Sequence, residues 1–500
     1  MAGVPRRHLL LGLPAMGVVV AFGRHEVHRT VDVRHHGATG DGVTDDAAAI
    51  RRAVAALRPN STLYFPTGTY RFADRRKNAD AAIVIAGLRG ITVEFAAGAE
   101  LVMDNLDPDS GTGTGHGILV HGPASDVKLR NVTIRWSQSA TRSMGDGIRI
   151  VGDPFSLGWN HGPVNRVTLS DCLIHGSPQA GVIMIGVSDI RIAGLQTEET
   201  RADGLHFNAC RRARIDNYTA IGAGDDGLAL VTYYAPEKSI DPAAQTFSFP
   251  HLTRWSNDEF VITNVAIKGG RANGVRLAGA RGVTLAGLAV VGVDAGAAVM
   301  IDSAAPGNDV GWHYVASRGV KVSDLAIDSC ETGIHVLARP SDTPDPRFTG
   351  FDVAIEGAAV RGCANWSVRA ESLSGQRATG FDLRSCTVEA SSSIGGNGGV
   401  GLANTRYSRL NAVSIQHTDA VLVFAATDVG DLAVDRLAVT ITAGDPPDEP
   451  GPCTGFENCD GVVDDLRIAW DSAPAAWSPL HLADDASGVG QSARLTIRTG

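Results

Sequence analysis

Two short segments carry the residues best suited to acid/base chemistry: Ala202-Asp203-Gly204-Leu205-His206-Phe207 and Asp225-Asp226-Gly227-Leu228-Ala229-Leu230. Asp203 and Asp226 lie 23 residues apart. If that interval is one coil of a stacked β-solenoid, the two carboxylates sit one above the other, because adjacent strands are about 4.8 Å apart. Carboxylates that close repel, which raises one pKa and lets the group divide acid and base roles. Hydrolysis of a glycosidic bond needs that division: one protonated carboxyl for the leaving oxygen, and one ionised carboxylate to activate water or to attack. A turn role competes with this reading, since Asp-Gly is favoured in tight turns, and Asp146-Gly147 falls in the same register. Stacking Asp225 and Asp226 over Asp203 brings no structural benefit, which favours catalysis.

The elements that must position these residues are short strands. From about residue 115 one phrase recurs: a small or acidic residue, a glycine, then alternating apolar and variable residues. It reads Asp146-Gly147-Ile148-Arg149-Ile150, Ala180-Gly181-Val182-Ile183-Met184, Asn273-Gly274-Val275-Arg276-Leu277 and Thr332-Gly333-Ile334-His335-Val336. A second strand phrase lies between, as in Ile190-Arg191-Ile192 and Val283-Thr284-Leu285, and a third often follows. Period-two strands at a 20-to-30-residue repeat spell an all-β parallel β-helix. Alternation points Leu205, Phe207, Leu228, Leu230, Val275 and Leu277 into the core, and Arg149, His206, Ala229 and Arg276 outward. The glycine interval is 23 from 181 to 204 and again to 227, but 34 from 147 to 181 and 47 from 227 to 274. The surplus forms two insertions, 153–162 and 232–258, on the binding face. The second holds Tyr233, Tyr234, Phe247, Phe249, His251 and Trp255 in a chain that is only 6% aromatic. Those rings suit either sugar faces or loop packing.

The head of the chain differs. Val31-Asp32-Val33 reads as a strand, Gly37 to Asp46 as a turn leading to a helix cap, and Ala47 to Leu57 as a helix with Ile50, Val54 and Leu57 on one stripe. Leu63 to Tyr70 returns as strand, turn, strand. A short helix there covers the open end of the solenoid. Asp45-Asp46 is acidic but sits at the helix N-terminus, and reads as structural.

The net charge of −10 argues against nucleic acid as a partner. Arg6-Arg7 followed by an apolar stretch to Phe22 reads as an export signal of the twin-arginine type, so the expected location is secreted or in the cell envelope. No later segment is apolar enough to span a bilayer. The seven cysteines include no C-x-x-C pair, so no cysteine-based zinc site is expected. Cys453 and Cys459 are the best disulfide candidates, and Cys330 and Cys363 stack as thiols or as a bridge. The division expected is 1–24 export signal, 25–110 cap and first coils, 111–440 β-helix with the cleft, and 441–500 C-terminal coils.

Residues 31–72 resemble the N-terminal signature of the pectate-lyase superfamily, a G-A-x-G-D-G-x-x-D-D turn, a helix, then F-P-x-G-x-Y. The resemblance implies a right-handed parallel β-helix of the pectin-lyase-like class. The middle resembles glycoside hydrolase family 28, the polygalacturonases, whose N-T-D-G-I-(H/D)-(I/V) and G-D-D-C phrases lie about one coil apart. It implies Asp225 as general acid, Asp203 and Asp226 as the pair that positions and deprotonates water, and inversion at the anomeric centre. Arg201, Ala202 and Gly227 depart from that pattern. The family's G-H-G falls near Arg271-Ala272-Asn273-Gly274, without a histidine, and its R-I-K has no clear counterpart. Those departures weaken galacturonan as the substrate; dextranases and α-1,3-glucanases resemble the same triad with a neutral-glycan cleft.

Around the triad, His206, Arg276, Arg271, Asn273, Tyr233, Tyr234 and Arg149 are the substrate-binding candidates, with Arg149 two coils away. No metal and no cofactor are expected, and the chain is expected to work as a monomer on a polysaccharide. Two other functions fit the same residues: a polysaccharide lyase or uronate epimerase, and a non-catalytic glycan-binding β-helix.

Overall fold

The computed structural model describes residues 29–75, 81–152, 162–233, 239–241, 246–248, 256–307, 313–342, 345–391, 398–445, 448–483, 489 and 494–499. The export signal falls outside them, as do Tyr234 and most of both insertions. From Arg29 to Thr499 strands pair in parallel, coil upon coil, in one continuous sheet that winds as a right-handed parallel β-helix. Pairing continues without a break across residues 110 and 440. The hairpin Ser239–Asp241 with Thr246–Ser248 stands apart and is antiparallel. No helix among the described residues is long and apolar enough to cross a membrane.

The alternation read from the sequence fixes what is inside. On one face of successive coils lie β1 (Ile148–Val151), β2 (Val182–Ile185), β3 (Leu205–Asn208), β4 (Leu228–Val231), β5 (Val275–Ala278) and β6 (Ala297–Ser303). Ile148, Val182, Leu205, Leu228, Val275 and Val299 pair in register and form one buried aliphatic column. Each such side chain contributes roughly 1.5–3 kcal/mol by leaving water. The glycine before each strand follows from the stacking: a Cβ on Gly204 would meet the Gly227 carbonyl at 2.6 Å, and one on Gly227 the Gly274 carbonyl at 2.7 Å.

The outward row is in register as expected, Arg149, Ile183, His206, Ala229, Arg276. It is not open to water along its length. Arg149, His206 and Ala229 are buried. Parallel strands are stable when both faces are covered, and here Ala229, Val231, Ala278, Ala304 and Tyr314 build a second small core on the outer face, with Tyr233 packed against it. Ala304 and Tyr314 exchange backbone hydrogen bonds, so the chain folds back over β4 and β5.

At the head, the helix α1 spans Ala47–Ala55 and buries Ala47, Ala49, Ile50 and Ala53 against the strand Ala81–Ala86 and a 3-10 turn at Val33–His36. Asp41–Asp45 is a strand paired with Gly68–Phe72, not a turn. Asp46 does not cap its own helix: its carboxylate accepts from the N–H groups of Thr39 and Gly40, at 2.7 and 3.0 Å. Asp45 takes the capping role, accepting from Ala47 N–H at 3.0 Å.

All seven cysteines are buried free thiols. The Cys453–Cys459 bridge is not formed, because the strand Thr454–Glu457 holds the two apart. Four extended residues span about 13 Å, well beyond the roughly 7 Å limit for bridged Cα atoms.

Candidate active site

Asp203 and Asp226 occupy the position before the glycine on successive coils, and a ladder of hydrogen bonds holds that position. Asp146 Oδ1 accepts from Ala180 N–H at 3.0 Å, Asp203 Oδ1 from Asp226 N–H at 3.0 Å, Asp226 Oδ1 from Asn273 N–H at 3.1 Å, and Asn273 Oδ1 from Ala297 N–H at 2.9 Å. The turn role and the acid/base role therefore coexist: one oxygen of each carboxylate ties the coils, while Oδ2 of Asp203 meets His206 and Oδ2 of Asp226 faces Arg276. Asp225 stands beside the ladder, its N–H bonded to Ala202 O. The carboxylates of Asp203, Asp225 and Asp226 converge, with one oxygen from each within 4.8 Å of the others. Three such oxygens could also gather round a cation.

Each carboxylate has a different neighbour. His206 Nδ1–H donates to Asp203 Oδ2 at 2.7 Å, so the ring orients the aspartate, and its Nε2 is buried with no partner among the described residues. Asn273 Nδ2–H donates to Asp226 Oδ1 at 2.8 Å. Both ends of that amide are engaged, so Asn273 positions Asp226 and ties it to the next coil. Arg142 Nη2–H donates to Asp225 Oδ2 at 2.7 Å. Burial, with the Asp203 charge, raises the Asp225 pKa even though Arg142 opposes it. Asp226 is pushed up to about 7, first by burial and then by the charges of Asp203 and Asp225, against the pull of Arg276. The cluster thus retains a proton near neutral pH and titrates as a unit.

Arg276 lies on the outward row with Nη1 3.9 Å from Asp226 Oδ2. Its other nitrogens are taken: Nε and Nη2 donate to Asp302 at 3.1 and 2.9 Å, and Nη2 reaches the Tyr314 hydroxyl at 2.6 Å. Asp302 is fully buried and also accepts from Arg339 Nε–H at 2.9 Å. Burial alone would raise its carboxyl, but Arg276 and Arg339 outweigh that and hold it below the usual range.

The remaining candidates are dispersed. Tyr233 stacks on His206, ring centroids 6.4 Å apart, and packs into the outer apolar core, so it walls the site rather than offering a free platform. Arg149 is buried on Asp146, with Nη1 to Oδ2 at 3.0 Å, two coils from Asp203. Arg271 is exposed in the turn one coil beyond Gly224, its N–H on Ala223 O. Sequence reasoning missed Arg142, Asp302, Tyr314 and Arg339. Asp302 carried a local signal, an acid ending the apolar run Val299-Met300-Ile301. Arg142 carried none, being 83 residues from Asp225.

The raised Asp226 pKa has a consequence for stability. An ordinary aspartate titrates near 4 (about 3.9) when unfolded, so between about pH 4 and 7 the folded chain binds the extra proton. Stability must then fall as pH rises through that window. Asp226→Asn removes this contribution, and should melt higher than the parent at pH 8, by about 0.5–2 kcal/mol, the usual scale of activity-for-stability exchanges. A variant that melts lower than the parent at pH 8 would show that the buried charge is not a cost.

A search of curated protein sequences finds no match. Among solved structures, the chain is similar to a family 28 exopolygalacturonase of Yersinia enterocolitica, with TM-score 0.48 and 13% identity over 89% of this chain and 79% of that one. It is similar to the catalytic unit of a GH87 α-1,3-glucanase of Streptomyces thermodiastaticus, with TM-score 0.42 and 14% identity over 93% and 69%. It is also similar to the A-module of a mannuronan C-5 epimerase of Azotobacter vinelandii, with TM-score 0.40 and 15% identity over 94% and 99%. The family model described as rhamnogalacturonase A/epimerase, pectate lyase-like, matches residues 30–339, well over half the chain, and the protein belongs to that family of pectin-lyase-like β-helices.

Proposed function

We propose that the protein is a glycoside hydrolase that cleaves O-glycosidic bonds of a polysaccharide with water. One observation carries this: three carboxylates converge within 4.8 Å at one edge of the helical face, and two of them hold protons more tightly than an ordinary aspartate. Access assigns the roles. The Asp225 side chain is 31% exposed and that of Asp226 only 4%, so Asp225 delivers its proton to the leaving oxygen. Asp203 and Asp226 hold a water, and Asp203 takes its proton as the oxygen bonds to the anomeric carbon. The leader with Arg6-Arg7 supports an enzyme that works outside the cell.

The cluster is tighter than the roughly 6.5–9.5 Å of inverting enzymes that use two carboxylates. Inversion is proposed all the same. Both oxygens of Asp203 are engaged, one by His206 and one by Asp226 N–H, and Asp226 is buried, so neither presents an oxygen for a covalent bond to sugar. The experiment is release of reducing ends from a panel of pectic and neutral glycans, with the anomer of the first product followed by proton NMR. The expected result is cleavage of at least one glycan with the anomer inverted. No cleavage anywhere defeats the hydrolase reading, and a retained anomer defeats the roles given to Asp203 and Asp226.

A lyase or epimerase needs a basic group free to abstract a proton. The nearest basic side chain to Asp226 among the ion pairs of the site is Arg276, and its ion pair with Asp302 keeps it charged. Absorbance of an unsaturated uronide in the same panel would favour this second reading, which the epimerase in the family description keeps relevant.

A further inference from the structure

A second face of the same coils carries a groove of about 950 Å³ that the catalytic reading does not use. Its floor is an outward row in parallel register: Lys128, Thr168, Arg191, Arg214, Val261, Thr284. Six rows at the inter-strand spacing give a floor about 24 Å long. Lys128, Arg191 and Arg214 are exposed, and among the described residues no carboxylate pairs with either arginine.

One wall is a column of residues in the left-handed conformation, Asp126, Arg166, Asp189, Arg212 and Glu259, with φ of 56°, 57°, 60°, 54° and 61°. Signs alternate along it. Arg166 grips Asp126 with two bonds of 2.7 and 2.8 Å, and Arg212 grips Asp189 with 2.7 and 3.0 Å. The wall pairs both of its arginines and keeps only the Glu259 charge, whereas the floor keeps the positive charges of Lys128, Arg191 and Arg214 in a chain whose net charge is −10.

We propose that this groove binds an extended anionic glycan, a polyuronate, separately from the aspartate cluster. Arg191 and Arg214 are one coil apart, a step close to the rise of one sugar along an extended chain, and each guanidinium can take a carboxylate in a two-pronged bond. A nucleic acid fits less well. Single strands are held by aromatic stacking as well as charge, and the only aromatic residue of the groove, Phe260, is fully buried. The glycan would lie along the solenoid axis and tether the enzyme to an acidic polymer. This does not depend on the hydrolase reading, since binding is measured and turnover is not.

The test uses the full chain carrying Asp225→Asn, so that any hydrolysis through that residue does not consume the polymer. Binding to polygalacturonate, alginate, dextran and single-stranded oligothymidylate is measured by surface plasmon resonance at low and high salt. Polyuronate should bind, weaken as salt rises, and exceed both other polymers. R191Q/R214Q should weaken polyuronate binding at least ten-fold with an unchanged melting temperature, while R191K/R214K, which keeps the charge but loses the two-pronged bond, should fall between the parent and the glutamine variant. The proposal is overturned if the parent binds no polyuronate at low salt, if oligothymidylate binds more tightly, if R191Q/R214Q binds as the parent does, or if the lysine variant loses as much as the glutamine one.

Discussion

Asp225→Asn is expected to lower kcat on the cleaved glycan by about 10²–10⁴-fold, the usual worth of a positioned general acid, with little change in melting temperature. The substitution keeps the size of the side chain and an oxygen for Arg142, which donates to Asp225 from a side chain that is itself 55% exposed. What it removes is the transferable proton. Asp225 is the member of the cluster with both a raised pKa and a path to solvent, so neither Asp203 nor Asp226 can replace it at the leaving oxygen. The wild-type rate should also fall on the alkaline side, at a pH above that of an ordinary carboxylate. Burial and the Asp203 charge raise the Asp225 pKa, and as pH rises through that raised value the acid loses its proton. Steady-state kinetics from pH 4 to 9 check both points. A variant that keeps more than a tenth of the parent kcat would place the acid elsewhere.

Much of this site was legible because a solenoid converts sequence distance into spatial distance. The 23-residue interval between Asp203 and Asp226 is one coil, and the preceding-glycine position gives the same carboxylate placement on each coil. The inward column of Leu205, Leu228 and Val275 followed from period two alone. Alternation says only which side chains leave the core, however, and not what then covers them. His206 and Ala229 point outward and are buried all the same: Tyr314 and the chain around Ala304 pack on Ala229, and Tyr233 stacks on His206. Arg142 reaches Asp225 from a loop 83 residues earlier; no period joins a loop to a distant coil. Asn273 entered the substrate-binding candidates from the segment where the family's G-H-G falls. Its amide instead serves the ladder in both directions.

Asp302→Ala should be the most damaging single change to the fold near the site, costing about 3–5 kcal/mol, the range for breaking a buried ion pair from one side. Asp302 has no exposed surface and accepts from Arg276, from Arg339 and from the Tyr314 hydroxyl, the last at 3.1 Å. Without it Arg276 and Arg339 lose the carboxylate they share, and Arg276 keeps only the more distant Asp226. Coils of a solenoid lean chiefly on their neighbours, so the loss should appear as early melting of β5 and β6 in hydrogen exchange, ahead of the rest of the chain. Asp302→Asn separates charge from shape. It keeps an acceptor for Arg276 but no longer anchors the cation, whose Nη1 is already 3.9 Å from Asp226. A guanidinium freed to approach the cluster favours the ionised carboxylates, so the proton leaves at lower pH and the alkaline limb of the rate profile moves down. An unchanged limb in Asp302→Asn, together with parent-like protection of β5 and β6 in Asp302→Ala, would mean that Arg276 is held by its packing on Tyr314 and that Asp302 does not set the charge at the site.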